Sequence, residues 1–479
     1  MIIIIFYLIT RLINLTLLPI FTDETNYLDW GWREIHTSGR FFYSLYDAKQ
    51  PLVMWFFGIF QSFTSDPLLA GRLVSVLTGL LTLVGLYKIS KNPLVPILYT
   101  LSPIFLFFDR QALMESSLVA AGVWTAYFLI KFIHSPTFKT SLPLGLVLGL
   151  SLYIKSNALL FSVSAFVVIA LAAIKNPKFR FSYLTLSFVI LIFTFLVTSP
   201  MLLQPSFWKY IHLSTQYSPS LSQAANPRLW FQNTFNILDI SFWQLTPLVF
   251  ISAVLGIRRQ IKTHGYLLIF LAIPLILEVF IAKFIVNRYV VPFLPLLLIF
   301  AADFLSRHKT LFFVSLLTTL IPAAVQITNP ALYLKSLSRV SPNSYYGGYV
   351  TAEASGYNAM SGLKFFEKLS QKEPLVLAIG LWSGNPELAY LVYFRHHPKI
   401  KVVILDSRLL DTDLDQYNCI SYPQPIYYLS RENRTAGLDK FFKPYAQITT
   451  PVNSTVSYVF KLISPCTGPA LTPTLDVGY

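Results

Sequence analysis

Three short polar stretches in an otherwise apolar chain hold residues able to do acid–base and anion chemistry. FTDETNYLDW starts at Phe21 and holds Asp23 and Glu24. FFDRQALMES starts at Phe107 and holds Asp109, Arg110 and Glu115. NRYVVPFLP starts at Asn287 and sets Arg288 and Tyr289 ahead of two prolines. Two lysines join them: Lys49 in AKQPL, beside a proline turn, and Lys155 in SLYIKSNALL, between two apolar runs. A carboxylate can remove the proton of an acceptor hydroxyl, while Lys and Arg can hold the charge that develops on a departing phosphate. Each residue also has an ordinary reading. Asp23 and Glu24 can be solvated interfacial carboxylates, Arg110 and Glu115 a salt-bridged loop, and Lys155 a snorkelling side chain. An arginine placed as Arg288 is requires a partner, and an anion fits that need.

The elements that must position these residues are membrane spans. The chain has 479 residues, 54% hydrophobic and 12% charged, with mean hydropathy +0.57. A soluble domain carries roughly 25% charged residues, so the composition argues against a cytosolic enzyme, and its apolar content excludes a disordered chain. The net charge of +15 does not indicate nucleic acid, because the basic residues fall in short clusters between apolar runs. Apolar windows of about 20 residues predict eleven spans, near residues 1–21, 67–87, 92–108, 116–133, 141–155, 157–174, 181–202, 242–257, 265–284, 289–304 and 310–327. The first window has no basic leading region, no small-residue cleavage site, and Arg11 at its centre, so it reads as a span and not a cleaved signal.

Lys88 and Lys91; Lys131 and Lys139; Lys175, Lys178 and Arg180; Arg258, Arg259 and Lys262; and Arg307 and Lys309 fall on alternate connections that lack Asp and Glu. The positive-inside rule makes these connections cytoplasmic, together with the N-terminus. The carboxylates of the opposite loops, among them Asp23, Glu24, Asp29, Glu34, Asp47, Asp66, Asp109, Glu115 and Asp239, are then extracytoplasmic. The loop that runs to Asp66 is long for a connector, and its Trp/Tyr-rich stretches suit the membrane interface.

Past residue 327 the composition becomes rich in Pro, Asn, Ser and Tyr. Helices are expected over Asn358–Lys372 and Pro386–His397, and strands over Pro374–Gly380, Lys401–Asp406, Pro425–Ser430 and Val452–Leu462. The expected organisation is a transmembrane domain over 1–327 and a small extracytoplasmic α/β domain over 328–479.

Other residues carry weaker signals. The histidines His36, His134, His212, His264, His308, His396 and His397 lack metal-ligand spacing; a divalent metal stays open as a cofactor, without ligand spacing to indicate it. His212 lies in a long outer loop where substrate binding is conceivable. Asn433-Arg434-Thr435 and Asn453-Ser454-Thr455 fit the acceptor sequon, and Cys419 and Cys466 lie where a disulfide is permitted.

DETNY (Asp23–Tyr27), KQPL (Lys49–Leu52), GRLVSVLTGLLTL (Gly71–Leu83), LSPIFLFFDRQALMES (Leu101–Ser116), GLSLYIKSNA (Gly149–Ala158) and NRYVVPFLPLL (Asn287–Leu297) follow one another in this order. Over roughly residues 5–300 the sequence resembles the polyprenyl-phosphate-dependent glycosyltransferases of class C (GT-C), specifically the protein-mannosyltransferase-like and aminoarabinose-transferase-like group. The resemblance implies Asp23 as catalytic base, with Glu24 beside it. It implies Lys49 as a contact to the lipid phosphate or its juxtamembrane helix, Arg110 and Glu115 as a second-loop pair, and Lys155, Arg288 and Tyr289 as pocket residues near the phosphate. The chain departs from the group at Gln50, where a second proline is usual, and at Glu115, where Asp is frequent. Aminoarabinose transferases have an Arg near the position of Asn26, and an acid just before the lysine, where Ala48 stands.

The expected function is transfer of a sugar from a polyprenyl-phosphate donor to an acceptor hydroxyl on the extracytoplasmic side, with inversion. The acceptor is a lipid, a glycan or a protein; membrane lipids are further partners, and nucleic acid is not. The rivals are a transporter or flippase of lipid-linked glycans, and a polymerase or ligase using a diphosphate-linked donor. A transporter expects polar residues near mid-membrane and internal repeats; here the polar motifs lie at one face and no repeat is found.

Overall fold

The computed structural model describes residues 1–261, 263–352, 355–380, 384–405, 423–431 and 442–463. The chain divides into two compact units. The first comprises Met1–Leu15, Gly31–Phe63 and Ala70–Ser344; the second comprises Thr16–Trp30, Thr64–Leu69 and Tyr345–Tyr479.

The helices from the N-terminus are α1 (Ile2–Leu12), α2 (Thr22–His36), α3 (Leu52–Gln61), α4 (Pro67–Ser90), α5 (Leu94–Leu101), α6 (Pro103–Phe108), α7 (Glu115–His134), α8 (Phe138–Ile154), α9 (Leu159–Lys175) and α10 (Arg180–Leu202). There follow α11 (Pro205–Tyr210), α12 (Leu221–Ala224), α13 (Pro227–Gln244), α14 (Pro247–Gln260), α15 (Gly265–Ile281), α16 (Asn287–Val290), α17 (Leu297–Ser306), α18 (Lys309–Thr328) and α19 (Pro330–Ser338). Among the described residues, α4, α7, α10, α18 and α9 with its preceding turn are long and apolar enough to cross a bilayer. Helices α13 and α14, bent by 113°, add a sixth if they form one span. The chain is a multi-pass membrane protein. Length and composition do not reach the expected eleven spans, because several windows are broken. Asn14 takes a left-handed φ of 54° just past α1, and Ser102, extended ahead of Pro103, separates α5 from α6.

In the first unit Gly31 and Gly58 let α2 and α3 cross in contact. A Cβ on Gly58 would lie 2.0 Å from the Gly31 carbonyl oxygen, so no larger residue fits. Helices α9 and α15 run antiparallel, with Phe161 stacked on Phe270 at 6.1 Å and Lys175 over the Tyr266 ring at 5.4 Å. This packing sets the start of α9 beside the end of α15.

The second unit contains a five-stranded sheet of β1 (Leu375–Gly380), β2 (Ile400–Leu405), β3 (Ile426–Ser430), β4 (Phe442–Thr449) and β5 (Val456–Leu462) in the order β2-β1-β3-β5-β4. Strands β2, β1 and β3 are parallel; β5 is antiparallel to β3 and β4. The side-chain alternation of a strand splits β1: Leu375, Leu377 and Ile379 join Leu363, Phe366, Tyr390 and Phe394 of α20 (Gly356–Ser370) and α21 (Glu387–Phe394) in one core. Val376 and Ala378 enter a second core with Tyr428 and Phe460. The expected α/β domain is therefore present, with β4 as a strand that the sequence did not suggest. Its exposed, broken pattern and Pro444 fit an edge strand.

Candidate active site

Glu115 is the centre of a buried charge cluster in the first unit. It opens α7 and is fully buried. Its Oε1 accepts from Lys155 Nζ at 2.8 Å and from Arg288 Nε at 2.7 Å, and its Oε2 from Arg288 Nη2 at 3.3 Å. Local backbone signals deliver both cations. Helix α8 stops at Ile154 because Lys155 is extended (φ −164°, ψ 144°), and a 3₁₀ turn at Ser156–Ala158 then starts α9. Arg288 sits on α16, a single turn ahead of Pro292 and Pro295. The amide of Asn287 anchors that turn by donating to Gln244 Oε1 of α13 at 2.9 Å. The Lys155 ammonium lies 5.7 Å from the Tyr289 ring centroid. Both cations keep some exposure, 13% for Lys155 and 17% for Arg288, so a ligand can reach them.

Lys49 approaches from the α2–α3 connection. Ala48 adopts φ 53°, the Lys49 amide donates to the Ser44 carbonyl at 3.1 Å, and its ammonium lies 3.4 Å from Asp47. Gln50, the departure from a double proline, accepts from the Ser156 amide at 3.2 Å. This bond ties the Lys49 turn to the Lys155 turn. Beside these turns lies an apolar cavity of about 200 Å³, lined by Leu45, Ala48, Gln50, Ser156, Met201 and Phe207 among others.

Glu278 belongs to the same neighbourhood and was missed in the sequence. It is buried, and its Oε1 accepts from Asn157 Nδ2 at 3.4 Å. The signal was available: it is the one charged residue of α15.

Arg110 does not pair with Glu115. Its guanidinium donates to the carbonyls of Thr10 and Arg11 at 2.9 Å, Ile13 at 2.8 Å and Asn14 at 2.7 Å, satisfying the open C-terminal end of α1. Its neighbour Asp109 binds Arg11, Tyr7, Tyr99 and Ser116, within 3.2 Å in each case. These contacts brace the connection that leads into Glu115.

Asp23 and Glu24 lie in the first turn of α2, in the part that belongs to the second unit. Glu24 is buried and, from the third position of α2, reaches back to accept from the Phe21 amide just ahead of the helix at 2.8 Å. Asp23 is half-buried. Within this unit Thr25 donates to Asn385 Oδ1 at 3.0 Å, and Asn385 donates to the Ile20 carbonyl at 2.7 Å. Asp29 pairs with Arg395.

Among the described residues, no group of three or more His, Cys, Asp or Glu could hold a metal ion. The Nδ1 of His212 lies 2.9 Å from the Lys209 carbonyl. Cys419, Cys466 and the Asn433 sequon lie outside the described residues. The amide of Asn453, in the other sequon, is engaged with the Val350 carbonyl at 3.0 Å and Ser355 Oγ at 3.1 Å.

Residues 48–203 match the family model described as dolichyl-phosphate-mannose-protein mannosyltransferase. No curated protein matches in sequence. Solved structures do match. ArnT from Cupriavidus metallidurans bound to undecaprenyl phosphate is 14% identical, with 98% of each chain covered and a TM-score of 0.65. The apo state of the same protein is 15% identical, with 97% of each chain covered and a TM-score of 0.64.

The chain has the class C glycosyltransferase fold.

The resemblance to the protein-mannosyltransferase-like and aminoarabinose-transferase-like group holds on both grounds. In this class C chain the family match contains Lys49, Arg110, Glu115 and Lys155. Asp23, Glu24, Arg288 and Tyr289 lie outside the matched segment.

Proposed function

We propose that this protein transfers a sugar from a polyprenyl-phosphate donor to an acceptor hydroxyl on the extracytoplasmic side of the membrane, with inversion at the anomeric carbon. The observation that carries the reading is the convergence of Lys155 and Arg288 on Glu115, two cations at 2.8 and 2.7 Å from one buried carboxylate oxygen. The fold adds to it, since ArnT, which shares it, is bound to undecaprenyl phosphate in one of its structures. The apolar cavity beside the Lys49 and Lys155 turns suits a ligand that joins an anionic head to a prenyl chain.

In this mechanism Asp23 takes the proton of the acceptor hydroxyl. The acceptor oxygen forms a bond to the anomeric carbon from the face opposite the phosphate. The bond from that carbon to the phosphate oxygen breaks, and its electron pair leaves with the polyprenyl phosphate. Lys155 and Arg288, with Lys49 nearby, hold the charge of the leaving group through hydrogen bonds that strengthen as it develops. Glu115 keeps the two cations oriented between turnovers.

The test is incubation of the purified protein in lipid with a panel of polyprenyl-phosphate sugars and candidate acceptors, following released polyprenyl phosphate. Release that requires both donor and acceptor is expected. Movement of intact donor across the bilayer without release would instead establish the transporter.

A further inference from the structure

Helix α16, which carries Arg288, is a single turn of four residues, and no side chain among the described residues caps it. An isolated turn fixes several dihedrals for very few hydrogen bonds, so tertiary contacts must hold it in place. Arg288 nonetheless keeps its Nε 2.7 Å from Glu115 Oε1.

The polar anchor of this turn is on α13. Asn287 Nδ2 donates to Gln244 Oε1 at 2.9 Å, and the two residues are 2% and 3% exposed. Gln244 is the last residue of α13, ahead of the 113° bend into α14. Its own Nε2 donates to the Asn343 backbone carbonyl at 3.3 Å. With a donor at its oxygen and an acceptor at its nitrogen, the Gln244 amide is held in one orientation.

Asn343 is pinned in turn. Its Nδ2 donates to Asp239 Oδ2 at 2.8 Å and to Asn236 Oδ1 at 3.3 Å, and its backbone amide donates to Ser341 Oγ at 3.2 Å. Ser341 Oγ donates to the same Asp239 oxygen at 2.6 Å. Hydrogen bonds to an ionised carboxylate are stronger than neutral ones, so Asp239, which the mechanism above does not use, fastens this segment to α13. The residues Ser341 to Ser344 close the first unit, and the chain enters the second at Tyr345.

We propose that Gln244 is a positioning residue for the donor-phosphate site: through Asn287 it sets the Arg288 guanidinium, while Asp239 and Asn343 keep Gln244 itself in place. Arg288 is one residue past the anchored Asn287, so any shift of the turn carries the guanidinium with it. Misplacing a positioned group by about 1 Å can cost up to about 10²-fold. The inference deepens the polyprenyl-phosphate reading above and rests on it.

The experiment measures affinity for undecaprenyl phosphate, together with melting temperature, on the full-length protein in lipid nanodiscs. Gln244→Met keeps the side-chain length and removes both hydrogen bonds. It should weaken binding by about 2- to 150-fold, the range found for coupled neighbours. Arg288→Ala should weaken binding at least as much, and adding Gln244→Met to Arg288→Ala should cost nothing further. A purely structural role would lower affinity equally in both backgrounds. Asn233→Ala is the control on the same helix: it breaks buried bonds to the Val279 and Ala282 carbonyls at 3.0 and 2.9 Å, and should lower the melting temperature with affinity retained. Wild-type affinity in Gln244→Met or Arg288→Ala, an equal loss from Gln244→Met in both backgrounds, or the same loss in Asn233→Ala would overturn the proposal. If Gln244→Met does not fold, Asn287→Ala breaks the same bond from the other side and is judged by the same cycle. No binding by the wild type would remove the donor reading, and this inference with it; wild-type binding that Gln244→Met leaves intact removes this inference alone.

Discussion

Arg288 reaches Glu115 across 173 positions of sequence, its Nε 2.7 Å from the carboxylate Oε1 that Lys155 also holds. The two cations are thus oriented before any ligand arrives. Arg288→Ala and Lys155→Ala should each weaken donor binding and turnover together. Arg288→Lys should recover only part, because an ammonium cannot reproduce the two-pronged contact of a guanidinium. Direct measurement of polyprenyl-phosphate affinity checks this; unchanged affinity in both alanine variants would remove the phosphate-pocket assignment and leave Asp23 as a separate question.

Asp23→Asn should lower turnover by about 10²–10⁴-fold with donor affinity retained, as expected for loss of a general base. Near-normal turnover would take Asp23 out of the mechanism. Asp29 is engaged differently, being paired with Arg395. Asp29→Asn should instead lower thermal stability, by about 3 kcal/mol or more if the arginine stays buried without its counter-charge.

Arg110→Met should act on folding. It leaves buried carbonyls at the end of α1 without donors, each costing about 1–3 kcal/mol. Protein that does fold should bind donor as the wild type does. A folded variant with lost donor affinity and normal melting temperature would return Arg110 to the binding site.

Glu34 supplies a pH dependence. It is buried on α2, with Oε1 accepting from the Ser44 amide at 2.7 Å and Oε2 without a hydrogen-bond partner. Burial pushes its carboxyl up from an ordinary 4.5 to about 8. Below the ordinary value both folded and unfolded chains hold the proton. As pH rises towards 8 the unfolded chain releases it while the folded one retains it, so stability falls by up to about 1.4 kcal/mol per pH unit in that window. Glu34→Gln keeps the Ser44 contact and removes this loss. The melting-temperature advantage of the variant should therefore grow from pH 5 to pH 8; an equal difference at both would contradict the assignment.

The orientation has its own test. A reporter fused after Ile327 should read as extracytoplasmic, and cysteine labelling between Arg258 and His264 should report the cytoplasm. A cytoplasmic signal after Ile327 would mean an even number of spans.

Apolar run length, basic clusters on alternate connections and a change of composition near residue 327 were sufficient to read a multi-pass membrane chain with an α/β C-terminal region, because these properties are local and additive along the sequence. The order of short polar motifs was likewise sufficient for the class C resemblance. What the tertiary structure decided was partnership. Arg110 and Glu115, five residues apart, suggested a pair, yet one closes the end of α1 and the other gathers Lys155 and Arg288. Glu278 stood in plain view as a lone charge in an apolar helix, but nothing in the chain indicated Asn157 as its hydrogen-bond partner. A buried charge is stabilised only by groups within a few ångströms, and for these side chains that distance depends on how α7, α9, α15 and α16 pack, which no local property of the sequence encodes.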